Sequence, residues 1–344
     1  MATPKDLWRE ARNPPVEPTG LSFQDKAVLV TGANSGLGYA SAVKYAALGA
    51  SPLILAVRSQ EKGDAASASI KRKTGHTGEI IILILELSNF ASVNTFADQL
   101  DEKVPKLDVA LLCAGIVVPD YQTSADNHEM TTQVNVLSNT LLALRLLPKL
   151  RAAAASSENN FFPHLCFLNS LASHAVNPEW LPSVGQTLIQ ALNDRSEFDL
   201  TRHYYLAKLA AWYGILGVVE HSAAYHDAHE VVINACCPGM CRTNMQRDLP
   251  WFQRISQQIA LLPLSRSAEE GSRSLVSATG LGPESIGKFW RNDRYLPPDE
   301  VLESERGQEL ARETWNEILA IIQPYLGKKI SNKSAAKLTD QLAK

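Results

Sequence analysis

The sequence KAVLVTGANSGLG, at residues 26–38, decides the fold. A short apolar run leads into a turn that contains Gly32, Gly36 and Gly38, and a segment with helical spacing follows. Glycines in such a turn let backbone N–H groups approach a pyrophosphate at the N-terminus of the following helix. The order of strand, glycine turn and helix therefore predicts a dinucleotide-binding unit. A turn that only connects a strand to a helix is the alternative.

Further apolar runs repeat this arrangement along the chain. They lie at residues 52–57, 80–85, 107–113, 164–168 and 231–236. Continuous apolar runs of about 5 to 7 residues are typical of strands buried on both faces of a parallel sheet. Segments with helical periodicity separate them. The sequence therefore predicts an α/β fold with a doubly wound parallel sheet, a Rossmann fold, in a single domain.

The pattern also predicts the boundaries of the domain. Residues 1–25, rich in proline and charge, should form an irregular N-terminal arm, and residues 26–303 the catalytic domain. Residues 304–326 carry apolar side chains at helical spacing and should form a C-terminal docking helix, followed by a mobile tail at 327–344. The long connections at 171–203 and 244–263 are expected to act as substrate lids.

Composition excludes several classes of function. The 344 residues carry 33 Lys and Arg against 36 Asp and Glu, so a net charge of -3 gives no general attraction to nucleic acid or to an anionic membrane. No apolar stretch reaches the roughly 18 residues that span a bilayer. Five cysteines without zinc spacing indicate reduced thiols in a cytoplasmic protein. His221, His226 and His229 fit a solvated face better than a metal site, so no metal is expected.

The residue after the second apolar run indicates which dinucleotide is preferred. Arg58 stands where an acidic residue would hold a ribose 2'-hydroxyl. A guanidinium group suits a bidentate contact with a 2'-phosphate, and Ser59 and Lys62 add a donor and a charge nearby. The sequence therefore favours NADPH/NADP as the cofactor. A solvated surface arginine is the alternative.

A tyrosine and a lysine provide the candidate chemistry. Tyr204 and Lys208 are spaced i,i+4 at the start of an apolar helix, so both side chains project from one face. The pKa of a phenol is near 10, and bringing it to about 7 takes roughly 4 kcal/mol of charge stabilisation. An adjacent ammonium group and an oxidised nicotinamide can supply this together. Tyr325 and Lys329 share the spacing but follow Pro324 and precede the polar tail.

Six motifs in order resemble the classical short-chain dehydrogenase/reductase family. They are TGANSGLG at residues 31–38, LLCAG at 111–115, VNVLSNT with Asn135, FLNS ending at Ser170, YYLAK at 204–208 and CCPGMCRT at 236–243. The segments AVRSQEKG, SLASH and SIGKFW are most similar to the retinol-dehydrogenase-like branch, which includes reductases of fungal secondary metabolism.

The resemblance implies roles for individual positions. Tyr204 would protonate a carbonyl oxygen, Lys208 would lower the phenol's pKa and hold the nicotinamide ribose, and Ser170 would hydrogen-bond the substrate oxygen. Asn135 would support a water relay to Lys208. Taken singly, Asn135 could instead tie a helix to a strand, and Ser170 could be a turn residue. The implied cofactor contacts, besides Tyr204 and Lys208, are Thr31, Gly32, Asn34, Ser35, Gly36, Leu37, Gly38, Arg58, Glu86, Leu87, Ala114, Gly115, Pro238, Gly239 and Thr243.

Apolar side chains near these motifs predict a bulky hydrophobic ketone or aldehyde as substrate, although they could equally pack in the core. They are Trp180, Tyr205, Met240, Met245 and Trp251. The leading interpretation is an NADPH-dependent carbonyl reductase, or the reverse alcohol dehydrogenase. An isomerase or cyclase without net redox change and a dinucleotide-sensing binding protein are the alternatives. The sequence leaves open whether two copies of the chain form a homodimer.

Overall fold

A computed structural model describes residues 3–155, 161–223, 231–242, 262–298 and 300–327. Eight strands form one sheet in the order β3-β2-β1-β4-β5-β6-β7-β8. The strands are β1 (Val28–Thr31), β2 (Leu53–Val57), β3 (Ile80–Ile84), β4 (Val109–Leu112), β5 (His164–Leu168), β6 (Val232–Cys236), β7 (Phe289–Arg291) and β8 (Arg294–Leu296). All neighbouring pairs are parallel except β7 with β8, which form an antiparallel hairpin. The predicted doubly wound parallel sheet is confirmed.

The helices cover both faces of this sheet. They are α1 (Pro4–Arg12), α2 (Gly36–Ala47), α3 (Gln60–Thr74), α4 (Phe90–Lys103), α5 (Met130–Thr132), α6 (Asn139–Ala155), α7 (Leu188–Leu192), α8 (Leu200–Ala223), α9 (Ala268–Ala278), α10 (Glu300–Glu303) and α11 (Glu305–Ile322). A π-helix, Gln133–Ser138, joins α5 to α6. None of the helices in the described ranges combines the length and apolar character needed to cross a bilayer.

Two apolar cores lie on opposite faces of the sheet because most strands are apolar at every position. One core packs α4, α6, α8 and α11 against the sheet, and the other packs α2, α3 and α9. Strands β1, β2, β4 and β6 are buried throughout. The edge strand β3 is only partly covered, and its Ile84 is exposed, which differs from the expectation that every run is buried on both faces.

The N-terminal segment contains a helix, which corrects the expectation of an irregular arm for residues 4–12. Helix α1 begins with a capping box, in which the side chains of Thr3 and Asp6 each accept from the other residue's backbone N–H, and Pro4 occupies the first turn. This pattern is a recognised helix start. Prolines at 14, 15 and 18 obscured it in the sequence.

A buried arginine holds α1 to the sheet. Arg266 is only 1% exposed. Its guanidinium group donates to the Glu10 carbonyl at 3.1 and 2.9 Å and to the Asn13 carbonyl at 3.2 Å. It also donates to the Pro238 carbonyl at 3.3 Å and to Asn292 Oδ1 at 2.6 Å. One side chain thus connects the N-terminal segment, the segment after β6 and the β7–β8 turn.

Helix α11 lies on α8, at the position expected for the C-terminal docking helix. Ser304 accepts from the Gly307 N–H as its N-cap, and Leu310, Ile318 and Ile322 are buried. The contact with α8 is close, because a Cβ at Gly217 would lie 2.0 Å from the Trp315 ring. The outer face of α8 is therefore covered by the chain's own C-terminal helix.

Candidate active site

The glycine turn is fixed by a threonine hydroxyl beneath it. Thr31 Oγ1 accepts from the backbone N–H groups of Cys113 and Ala114, both at 2.9 Å. This ties the end of β1 to the end of β4 through backbone donors. Thr31 is fully buried, so it supports the turn from below, and it does not line the cleft as a cofactor contact would.

Two glycines make the turn compact enough for a ligand's phosphates. Gly32 has a φ of 68° and Gly36 a φ of 54°, both in the left-handed region that favours glycine. A Cβ at Gly38 would lie 2.5 Å from the Gly32 carbonyl oxygen, so only glycine lets α2 pack this closely on the turn. The start of α2 therefore presents backbone N–H groups at the floor of the cleft.

A cleft of about 530 Å³ opens above the carboxyl ends of the strands. Most of the predicted cofactor residues line it: Gly32, Asn34, Ser35, Gly36, Leu37, Gly38, Arg58, Glu86, Leu87, Ala114 and Gly115. The exposed Arg58 lies at its rim. Glu86 also accepts from the Ser88 N–H at 3.0 Å, so its carboxylate shapes the turn after β3. The volume and the glycine floor fit a dinucleotide.

The candidate catalytic side chains meet where β5 ends beside α8. The Tyr204 phenol lies close enough to the Ser170 side chain to interact with it, and Ser170 is also the N-cap of a 3-10 helix at Leu171–His174. Lys208 Nζ lies 6.0 Å from the centroid of the Tyr204 ring. Burial raises the pKa of Cys113, a residue of the cleft, to about 12, and the charge of Lys208 opposes this rise, so the lysine lies near the cleft wall.

Burial dominates the electrostatics of this pair. The pKa of Lys208 falls to about 8 because burial penalises its charged form. Burial likewise raises the pKa of Tyr204 above its usual value, although the interaction with Ser170 opposes the rise. The chain's own groups therefore do not bring the phenol's pKa towards neutrality. An oxidised nicotinamide, when bound, would add positive charge that favours the phenolate.

Asn135 lies in the π-helix between α5 and α6. Its Oδ1 accepts from the Ile116 N–H at 2.9 Å, and its Nδ2 donates to the Ile116 carbonyl at 2.8 Å. The side chain thus ties the π-helix to the segment after β4. This is the structural role that the sequence offered as an alternative to the water relay. Short π-helical turns often occur at functional sites.

A buried pair next to Tyr204 escaped the sequence analysis. His203 Nε2 and Glu129 Oε2 are 2.8 Å apart, and the two residues are 6% and 0% exposed. The Glu129 carboxylate also accepts from the Thr131 N–H and from the N–H and hydroxyl of Thr132. Burial alone would raise the pKa of Glu129, but these hydrogen bonds and the contact with His203 lower it. The pair fixes α8 against the start of α5, which leads into the π-helix.

The remaining predicted residues fall into three groups. Pro238 and Gly239 lie on the segment after β6, held by Arg266, and outside the cleft lining. Trp180 and Tyr205 pack edge to face at 5.4 Å on the core beside Tyr204, and Met240 is half-buried. Residues outside the described ranges are Thr243, Met245, Trp251, His226 and His229.

A phenol, a hydroxyl and an ammonium group thus lie together near the cleft but outside its lining. Comparisons with known proteins identify the family. Residues 26–157 match the family model described as short chain dehydrogenase. The chain is 37% identical over 314 residues to the short-chain dehydrogenase/reductase ffsI of Aspergillus flavipes, covering 91% of this chain and 90% of that protein. It is 36% identical over 312 residues to the short-chain dehydrogenase/reductase phmF of Phaeosphaeria nodorum, covering 90% of each.

A solved structure shows the same fold. A short chain dehydrogenase from Burkholderia cenocepacia, in complex with NADP, superposes with a TM-score of 0.56 at 17% identity, covering 79% of this chain and 97% of that one. The chain belongs to the short-chain dehydrogenase/reductase family. It is an oxidoreductase of this type, and the family uses NAD(P).

Replacing the buried lysine should make the protein more stable. The folded-state pKa of Lys208 is about 8 against an ordinary 10.5, so burying the charge costs about 3 kcal/mol below pH 8. The unfolded chain binds more protons between these two values, and this cost disappears as pH rises through that window. We expect Lys208→Met to raise the free energy of unfolding by up to about 3 kcal/mol at pH 7 and by much less near pH 10.

Urea denaturation at the two pH values measures this difference. Lys103, an exposed residue at the end of α4, supplies the control. Lys103→Met should change the stability by no more than about 0.5 kcal/mol at either pH. A Lys208→Met protein that is less stable than wild type at pH 7 contradicts the assignment of a buried, costly charge.

Proposed function

We propose that this protein is an NADPH-dependent carbonyl reductase, able to run in reverse as an alcohol dehydrogenase, that acts on a bulky hydrophobic ketone or aldehyde. The observation that carries the proposal is the placement of the Tyr204 phenol beside the Ser170 side chain and the buried Lys208. The NADP complex of the Burkholderia cenocepacia relative and the position of Arg58 at the cleft rim support the choice of cofactor. A role in secondary metabolism, a cytoplasmic location and a homodimer stay predictions.

When bound, the dinucleotide would supply the hydride that reaches the carbonyl carbon. Side chains of the protein position and protonate the carbonyl oxygen. The Ser170 hydroxyl orients the carbonyl oxygen towards Tyr204, and the phenol donates its proton to that oxygen as negative charge develops there. Lys208, 6.0 Å from the ring centroid, stabilises the resulting phenolate. The product is an alcohol with one added hydrogen on carbon and one on oxygen.

The substrate side of the site is apolar and partly buried. Tyr205 follows Tyr204 on α8 and packs against Trp180 from the segment after β5. Neither residue carries a charge that could bind a sugar phosphate or a small acid at this point. These side chains support a hydrophobic group next to the reacting carbonyl.

The catalytic role of Tyr204 predicts a selective loss of turnover. Tyr204→Phe removes the proton donor but leaves the glycine turn intact, so we expect kcat to fall by about 10²- to 10⁴-fold with NADPH affinity nearly unchanged. NADPH oxidation followed at 340 nm over a panel of hydrophobic ketones measures the first quantity. Quenching of protein fluorescence by NADPH measures the second.

The same assay separates the competing functions. Product formation without NADPH oxidation would identify an isomerase or cyclase. Tight NADPH binding with no turnover of any ketone would identify a dinucleotide-binding protein. Full activity of Tyr204→Phe would contradict the proposed proton donor.

The role of Arg58 predicts a cofactor preference. NADPH should bind at least about tenfold more tightly than NADH, because only NADPH offers a 2'-phosphate to the guanidinium group. Arg58→Ala should remove most of this preference and leave NADH affinity unchanged. Arg72→Ala, at the other end of α3 and away from the cleft, is the matched control. Equal affinities of the wild type for the two cofactors would overturn the assignment.

A further inference from the structure

Helix α8 is held by hydrogen bonds at two points next to the candidate catalytic residues. At the first, Asn169, which directly follows β5, donates through its Nδ2 to the Lys208 carbonyl at 3.3 Å. At the second, His203, the residue before Tyr204, hydrogen-bonds the carboxylate of Glu129 at 2.8 Å. The first contact fixes the helix relative to the end of β5, and the second fixes it relative to a different part of the molecule.

The Glu129 carboxylate is a buried acceptor of several hydrogen bonds. As the N-cap of α5 it accepts from the Thr131 N–H at 2.9 Å, and from the Thr132 N–H and hydroxyl at 2.8 and 3.0 Å. Burial would raise the pKa of this carboxyl group, but the hydrogen bonds from His203 and the two threonines lower it. The carboxylate therefore carries no proton at neutral pH, so the His203 Nε2–H is the donor.

The segment that begins at Glu129 forms one wall of the cofactor cleft. Met130, the next residue, lines the cleft, and so does Val134 in the π-helix that follows. Asn135 holds a third residue of the cleft, Ile116, through hydrogen bonds of 2.9 and 2.8 Å. The position of Glu129 is therefore tied to the position of this wall.

The pair thus connects the backbone at Tyr204 to the wall of the cofactor cleft. Hydride transfer and protonation act on the two atoms of one carbonyl group, so the cofactor and the phenol need a fixed separation. Neither Glu129 nor His203 lines the cleft. Consecutive side chains of a helix point roughly 100° apart, so His203 faces away from the direction of the phenol. The pair can therefore act on the reaction only through the placement of Tyr204.

We propose that Glu129 and His203 are positioning residues for the reduction, and that their hydrogen bond sets the place of Tyr204 relative to the cofactor cleft. The proposal rests on the proposed function, since it concerns the proton donor of the same reaction. Loss of the bond displaces the phenol and slows protonation of the carbonyl oxygen. The glycine floor of the cleft is unaffected, so kcat depends on the pair and the affinity for NADPH does not.

Two substitutions of His203 separate its hydrogen bond from its bulk. His203→Leu removes the donor but keeps an apolar side chain next to Phe198, whose ring centroid lies 4.9 Å from that of the imidazole. His203→Gln keeps an N–H donor for Glu129. We expect His203→Leu to lower kcat about 10- to 100-fold with KM and NADPH affinity within about twofold of wild type, and His203→Gln to recover most of the loss. A His203→Gln protein as slow as His203→Leu overturns the proposal.

Tyr45→Phe is the matched control. Tyr45 is fully buried on α2, and its hydroxyl hydrogen-bonds the Thr279 hydroxyl at 2.9 Å at the end of α9. The substitution therefore also removes one buried hydrogen bond between two helices, and it should lower Tm as His203→Leu does. It should leave kcat within about twofold of wild type, because the bond lies away from Tyr204. If Tyr45→Phe loses as much kcat as His203→Leu, general destabilisation explains the loss and the positioning role is wrong.

The carbon-13 NMR resonance of the Tyr204 Cζ tests the placement of the phenol without a substrate. Its chemical shift responds to hydrogen bonds and charges around the phenol, and Tyr204→Phe identifies it among the nine tyrosines. In the full chain labelled at tyrosine Cζ and saturated with NADP, the resonance should move in His203→Leu and return towards its wild-type position in His203→Gln. A resonance that does not move in His203→Leu overturns the proposal. If no ketone is reduced while the resonance follows the expected pattern, the proposed function fails and the positioning of Tyr204 by the pair stands.

Discussion

The hydrogen bond between His203 and Glu129 is the contact on which the geometry of the site depends. The bond is 2.8 Å long and buried, and it joins the residue before Tyr204 to Glu129, the N-cap of α5, which leads into the π-helix that carries Asn135. Removing one member of a buried hydrogen-bonded pair is costly, because the other member stays buried without a partner. The helix that carries Tyr204 and Lys208 is thus held in one position relative to the sheet.

Lys208, the lysine of the proposed catalytic site, shows the opposite balance: it lowers stability where the proposed function needs it. No carboxylate in the described ranges pairs with Lys208, and burial lowers its pKa to about 8. The apolar side chains of α8 are buried in the core, and the free energy gained from this burial offsets the cost of the buried charge. Functional sites often lower stability in this way, because a side chain placed for a reaction is not placed where it would stabilise the fold most.

The sheet and the glycine turn could be predicted from local sequence patterns. Contacts between residues far apart in the sequence could not. Six strands follow from apolar runs, and the turn at Gly32 from its neighbours on either side. By contrast, His203 and Glu129 are 74 residues apart, and Arg266 bonds Glu10 over 256 residues. No periodicity encodes such pairs. The expected irregular arm was wrong at α1 because its prolines concealed a capping box that depends on only two side chains.

In the proposed reaction, a carbonyl carbon receives hydride from the nicotinamide of the cofactor while Tyr204 protonates the oxygen. NADPH deuterated at the transferable nicotinamide position, with mass spectrometry of the product from a ketone of the panel, measures the hydride transfer. We expect one deuterium on the new carbinol carbon, and loss of this product in Tyr204→Phe. A product that forms without deuterium at that carbon would contradict the proposed hydride transfer.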